Sequence, residues 1–151
     1  MAILSFDGRV NIAVRIVKEQ YPNAQLYEAD GIASDGPTKD PAKIDKLRVV
    51  FNNEYKSTVI IKETAYGEFG EPQLIAEPWL EDVVINWPVK MDLPKANELK
   101  EKAGYTNAYG AVTLRNPLGP KPGNPYFIFG GDPSKPYIFV DTDTGEVHPG
   151  S

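Results

Sequence analysis

Cysteine is absent from this chain, and histidine occurs once, at His148. Without cysteine the chain forms no disulfide, thiolate metal site or cysteine nucleophile. A Ser-His-Asp triad would have to use His148, whose position before Pro149 and Gly150 is typical of an exposed tail residue. No nucleophile elbow, dinucleotide-binding or phosphate-loop glycine motif is present. These absences favour a protein that is not an enzyme.

Long apolar runs are also missing, and the longest is far short of the roughly 20 residues that a membrane-spanning helix needs. The N-terminus lacks the basic start and apolar core of a secretory signal. Positive charge is scarce, since 16 Lys and Arg against 21 Asp and Glu give a net charge of −5. We therefore expect a cytoplasmic protein with no membrane or nucleic-acid partner. A secreted chain whose signal was removed would look the same.

The chain is rich in proline and glycine, with 14 and 13 residues, and two of its stretches repeat each other. Residues 21–24 (YPNA) and 105–108 (YTNA) each follow a helical pattern and precede a strand pattern. Similar pairs of strands come after both. A repeat of this kind indicates one unit used twice. We predict a single compact domain over residues 1–151, with copy one at about 5–68, an excursion at 69–90 and copy two at about 91–148.

Each copy begins with a helix. Asp7 is the predicted N-cap of the first, and the second runs from Asp92, with Pro94 in its first turn, to a C-terminal cap at Gly104. The sequence predicts an α+β fold of two α-β-β-β copies, with both helices packed on one face of an antiparallel sheet. The predicted strands are 24–33, 46–53, 56–65, 79–87, 109–115, 126–129 and 137–141, with a short one at 73–76. The predicted core comprises Ile12, Ile16, Val49, Ile60, Leu99, Ile128, Ile138 and Val140.

Aromatic side chains gather in and around the last strands of copy two. They can simply pack in the core, but Ala96 and Ala103 on the second helix are small enough to leave an apolar cleft opposite them. The sequence thus favours a binding protein that holds a small apolar or aromatic ligand, such as a pigment or other organic chromophore, between sheet and helices. The predicted ligand-binding residues are Tyr105, Tyr109, Tyr126, Phe129, Tyr137 and Phe139, with Trp79 and Trp87 closing one end.

Carboxylates supply two further hypotheses. An acidic stretch could contain a paired acid and base, as glycosidases require, although a solvated acidic rim is the favoured interpretation. Its members are Glu63, Glu68, Glu71, Glu77, Glu81 and Asp82. Asp141, Asp143 and Glu146 surround a glycine in the manner of a calcium loop, and they are the predicted Ca²⁺ ligands. The alternative is a strand-ending turn in which Gly145 takes a positive φ.

The segment 137–147 (YIFVDTDTGEV) resembles the closing signature of the PepSY domain. That signature is an aliphatic strand, an Asp, here Asp141, and then Thr-Gly-Glu at 144–146. The order of helix, strand and hairpin is similar too, and the cystatin-like group is a neighbouring resemblance. The resemblance implies a non-catalytic domain associated with peptidase propeptides. The alternative function is therefore a peptidase inhibitor or protein-binding module, with a protein partner in place of a small molecule. The sequence predicts no oligomeric state.

Overall fold

The computed structural model describes residues 5–80, 82–117, 123–131 and 134–150, without the side chain of Tyr55. Its secondary structure confirms the α+β class, because two helices accompany an extended antiparallel sheet. The elements are α1 (Phe6–Gln20), β1 (Gln25–Ile32), β2 (Asp45–Asn53), β3 (Ser57–Ala65), β4 (Glu68–Phe69), β5 (Gln73–Ile75), β6 (Asp82–Val83), α2 (Leu93–Lys102), β7 (Ala111–Pro117), β8 (Tyr126–Gly130), β9 (Ile138–Asp141) and β10 (Val147–Pro149).

The sheet has the order β10-β9-β8-β7-β1-β2-β3-β4, and every pairing is antiparallel. β5 also pairs with β3, and β6 pairs with the end of β7. β1 and β7 meet at the centre, so the strands that follow α1 lie on one side and those that follow α2 lie on the other. The strand predicted at 79–87 is reduced to Asp82–Val83, and Glu81 lies outside the described residues.

The N-cap of α1 is Ser5, whose hydroxyl accepts from the Gly8 amide at 2.9 Å, so the prediction of Asp7 was wrong. The Asp7 carboxyl instead accepts from the backbone amide of Leu93 at 3.2 Å and so links the first turns of the two helices. Burial, only partly offset by that amide, raises the pKa of Asp7 to about 6. The predicted cap of α2 is confirmed, since the Asp92 side chain accepts from the Lys95 amide at 3.1 Å.

Both helices cover the same face of the sheet, where one apolar core joins α1, α2 and the strands. Of the predicted core residues, Val49 and Val140 are buried, and Ile16, Leu99 and Ile138 are partly buried against the core, whereas Ile12, Ile60 and Ile128 were wrongly predicted as core. The errors at Ile60 and Ile128 follow from the alternation of side chains along a strand. Phe127 and Phe129 face the helices, so Ile128 between them faces away, and Ile60 faces away because it pairs with Val50. The six partly exposed residues are Ile12, Ile16, Ile60, Leu99, Ile128 and Ile138.

The opposite face of the sheet carries polar residues, and a β-bulge at Tyr27 helps to place them. Leu26 pairs with Phe51 while Glu28 pairs with Val50, so Glu28 shares the face of Val50, away from the core. Val50 is nevertheless fully buried. Residues of the excursion reach this face, since Trp79 lies over the guanidinium of Arg48 at 5.6 Å. The excursion therefore covers a second buried region.

Candidate functional site

A recess opens where the end of α2 meets β8 and β9 on the core face. It contains about 470 Å³ of empty space, part of which is open to solvent. The loop between α2 and β7 closes one side of it, and β9 closes the other. The residues that shape it are Lys100, Tyr105, Tyr109, Phe129, Lys135 and Ile138. The recess lies between helix and sheet, but Ala96 and Ala103, opposite which the sequence predicts a cleft, are not among the described residues that line it.

The walls of the recess combine two aromatic rings and one buried amine. Tyr109 and Phe129 contact each other edge to face, with ring centroids 4.9 Å apart. Lys100 Nζ lies 5.2 Å from the first centroid and 5.3 Å from the second, and it donates to the Tyr105 carbonyl at 2.8 Å. Burial lowers the pKa of Lys100. Burial likewise raises the pKa of Tyr109, whose hydroxyl has no hydrogen-bond partner among the described residues.

The structure brings three of the eight predicted ligand-binding residues into this recess, namely Tyr105, Tyr109 and Phe129. Tyr126 and Phe139 point away from the core, because Phe139 pairs with Ile128. Their rings lie 5.8 Å apart, and His148 stacks on Phe139 at 5.4 Å.

Tyr137 and the two tryptophans lie elsewhere as well. Tyr137 is 54% exposed and covers Gly130, where a Cβ atom would lie 2.1 Å from its ring. Trp79 donates to Asp82 at 2.7 Å on the opposite face, and Trp87 donates to Asn11 on α1 at 3.2 Å. The predicted aromatic set is therefore not one cluster, because alternation along the strands divides it between the two faces.

Glu63 is not part of a solvated rim, because it forms a buried ion pair with Arg9 of α1. The two side chains are each 1% exposed, and Arg9 Nη1 lies 2.9 Å from Glu63 Oε1. Arg9 also donates to the Ile44 carbonyl and lies 4.5 Å from the Tyr66 ring centroid. The Glu63 carboxylate accepts two backbone amides, from Leu47 at 3.0 Å and Gly67 at 2.7 Å. This pair ties α1 to β2 and β3.

Asp82 belongs to a second buried cluster, on the opposite face. Its side chain is 0% exposed and accepts from Arg115 Nε at 2.7 Å. Glu28 lies beside it, and burial followed by hydrogen bonds to the carboxyls of Asp82 and Asp30 raises the pKa of Glu28 well above its ordinary value. Arg48 Nη2 lies 2.7 Å from Asp30 Oδ2 but 3.5 Å from Glu28 Oε2, so Arg48 pairs mainly with Asp30. A carboxylate at Glu28 is costly beside two other acidic groups, and this raises the pKa of Glu28 rather than leaving it ordinary.

The remaining members of the acidic stretch that the structure describes are Glu68, Glu71 and Glu77, and all three are exposed. Glu28 and Asp82 form a carboxyl pair, yet both are buried, at 4% and 5% exposure. A general acid must reach the reacting group of its substrate. The Glu28–Asp82 pair is therefore a buried contact that links β1 to the excursion.

The predicted calcium loop forms a tight turn around Asp141. Asp141 Oδ1 accepts from the amides of Asp143 at 2.7 Å and Thr144 at 3.0 Å, and Oδ2 accepts from Asn124 at 3.0 Å. Burial acts to raise the pKa of Asp141, but these hydrogen bonds outweigh it and lower the pKa. Gly145 has φ 78°, as the turn interpretation predicts. Among the described residues, no group of three His, Cys, Asp or Glu side chains is placed to hold a metal ion.

Sequence reasoning missed Lys100, Arg9 and Glu28. The first two carry a usable signal, because each falls on the apolar stripe of its helix. Lys100 continues the buried row of Leu93 and Ala96, and Arg9 lies three residues after the buried Phe6. Glu28 carries no such signal, since only the bulge places it on the polar face.

No protein-family model matches the sequence, and a search of curated proteins finds no match. Among solved structures, the chain is similar to a protein of Clostridium difficile 630 described as a "putative lipoprotein". The TM-score is 0.63 at 15% sequence identity, over 98% of this chain and 94% of the other. This likeness shows a shared fold. Neither helix in the described part of the chain is long and apolar enough to cross a membrane.

Proposed function

We propose that this protein is a non-enzymatic binding protein that holds a small apolar or aromatic ligand in the recess at the end of α2. The observation that carries the proposal is the meeting of Tyr105, Tyr109 and Phe129 around one open cavity between helix and sheet. Apolar cavities with a few polar groups are the usual sites for small molecules. The recess is open to solvent, so a small ligand with an aromatic ring can enter it and contact these side chains. A pigment is one such ligand.

Protein purified from its source is expected to carry a mass in excess of the chain, or an absorption band beyond that of its aromatic residues. Recombinant protein should bind benzyl alcohol, a neutral aromatic probe, with NMR shifts at the recess. Tyr105→Ala should weaken that binding because Tyr105 forms a wall, whereas the matched control Tyr126→Ala lies on the other face and should not. A bare chain mass together with no probe shift at the recess would contradict the proposal.

The duplication and the family resemblance are part of the same proposal. The order α1-β1-β2-β3 is repeated as α2-β7-β8-β9 about the central β1–β7 pair, which supports two copies of one unit. Tyr21 and Tyr105 are both half-buried just after their helices, and their amides bond back to Val17 and Lys100. The PepSY and cystatin-like resemblance, the single domain, the cytoplasmic location and the absence of a nucleic-acid partner are proposed on the sequence alone.

A protein-binding or peptidase-inhibiting role is the second candidate, and the excursion supports it. Leu74 and Ile75 on β5 are 52% and 39% exposed, and Leu80 is 73% exposed. Exposed apolar residues near acidic side chains, here Glu71 and Glu77, are common at protein contacts. Nanomolar inhibition of a peptidase, lost in Leu74→Asp and retained in Tyr105→Ala, would establish this role in place of ligand binding.

Calcium binding at the Asp141 turn stays a prediction, and its test is direct. An ion would use the free lone pair of Asp141 Oδ2 with the exposed Asp143 and Glu146, so its shell needs added waters. Such a site is weak, with Kd of about 10⁻⁴–10⁻³ M. Ten millimolar calcium should therefore raise the Tm relative to chelator by mass action, and Asp143→Asn should remove the difference. Equal Tm values in calcium and in chelator would contradict calcium binding, and the only role of these carboxylates would then be in the turn.

A further inference from the structure

The recess is positively charged within an acidic protein. Its described lining includes Lys100 and Lys135 and no Asp or Glu, whereas the chain as a whole carries a net charge of −5. A site lined by two cationic side chains in such an acidic protein favours anions over neutral molecules of the same shape.

Lys100 forms no ion pair in the described part of the chain. None of the described ion pairs includes Lys100, and the residue is 2% exposed. Its amine contacts one carbonyl and two ring faces, which stabilise a cation less than a carboxylate does. An ammonium group that has lost its water without gaining an anion is costly, and a bound anion offsets that cost.

From this arrangement we infer that the recess binds a small aromatic anion, whose acidic group meets Lys100 Nζ while its ring contacts Tyr109 and Phe129. The inference rests on the proposed function and specifies its ligand class as an aryl carboxylate or an acid of similar geometry. Lys135 is exposed at the mouth and draws the anion in without being buried with it. Burial lowers the pKa of Lys100, and the negative charge of a bound anion acts in the opposite direction.

The decisive experiment compares benzoate with benzamide, which has the same ring and no charge. Both are titrated into the protein at pH 7 and low salt, with Kd measured by NMR. We expect benzoate to bind about 10- to 100-fold more tightly, since hydrogen bonds to charged groups are worth about 1.5–3 kcal/mol. Lys100→Met should abolish the preference and leave benzamide binding unchanged. The matched control Lys102→Met removes an exposed lysine of the same helix and should change neither affinity.

The outcomes separate this inference from the proposed function. Equal wild-type affinities for benzoate and benzamide would overturn the anion preference and leave ligand binding standing, and this comparison needs no variant to fold. Binding of neither probe would overturn both.

Discussion

Replacing Glu63 with alanine is expected to lower the free energy of unfolding by about 3–5 kcal/mol, the usual cost of leaving a buried charge without its partner. Arg9 would keep its charge at 1% exposure with no carboxylate beside it. The amides of Leu47 and Gly67 would lose their acceptor as well. Urea denaturation followed by circular dichroism measures the change directly.

A double variant shows whether the loss comes from the orphaned charge. Arg9→Met combined with Glu63→Gln removes both charges and keeps one acceptor for the strand amides, so it should lose less stability than Glu63→Ala alone. Glu68→Ala, at an exposed position on the next strand, is the matched control and should stay within about 0.5 kcal/mol. A Glu63→Ala protein as stable as the wild type would show that the ion pair contributes nothing.

Glu28→Gln is expected to stabilise the protein increasingly as the pH rises. The introduced amide would keep the shape of the protonated carboxyl and could donate to both Asp82 and Asp30. In the unfolded chain Glu28 loses its proton near its ordinary pKa of 4.5, whereas in the folded chain its pKa is raised. The stability that this proton contributes is therefore fully present below pH 4.5 and is lost as the pH rises toward the folded pKa.

The measurement is the free energy of unfolding of both proteins at several values between pH 4.5 and pH 9. Over that range the wild type should lose stability relative to Glu28→Gln with a slope of up to about 1.4 kcal/mol per pH unit, the value for one proton. Glu71→Gln, at an exposed carboxylate, should differ from the wild type by a constant amount. Parallel curves for Glu28→Gln and the wild type would mean that Glu28 is ionised in the folded protein.

Local pattern was sufficient for most of the regular elements. The second helix begins after Asp92, as the capping pattern predicts, and Gly104 follows it with φ 100°. β2 and β3 lie close to their predicted bounds because each is rich in β-branched residues and is flanked by polar turn residues. In the excursion the short strand predicted at 73–76 is confirmed as β5, whereas the strand predicted at 79–87 is reduced to β6, which is two residues long and depends on pairing with β7.

The sequence likewise predicted only part of the candidate site. The sequence pointed to the aromatic residues in and around the last strands, but a strand pattern shows only that neighbouring side chains alternate. Which phase faces the helices is decided by packing, so Phe129 lines the recess while Phe139 meets His148 on the other face. Lys100 enters the site because it lies on the same row of α2 as the buried Leu93 and Ala96.

By itself the sequence determined which reactive side chains are absent, such as the cysteine thiol. It also determined the elements that form from contacts a few residues apart, such as helix caps, turns and strands. Only the tertiary structure decided which charges are buried together. Arg9 and Glu63 are 54 positions apart, and Glu28 lies as far from Asp82. Such pairs arise because a folded sheet brings distant strands side by side, where burial makes each charge depend on a partner that no local pattern specifies.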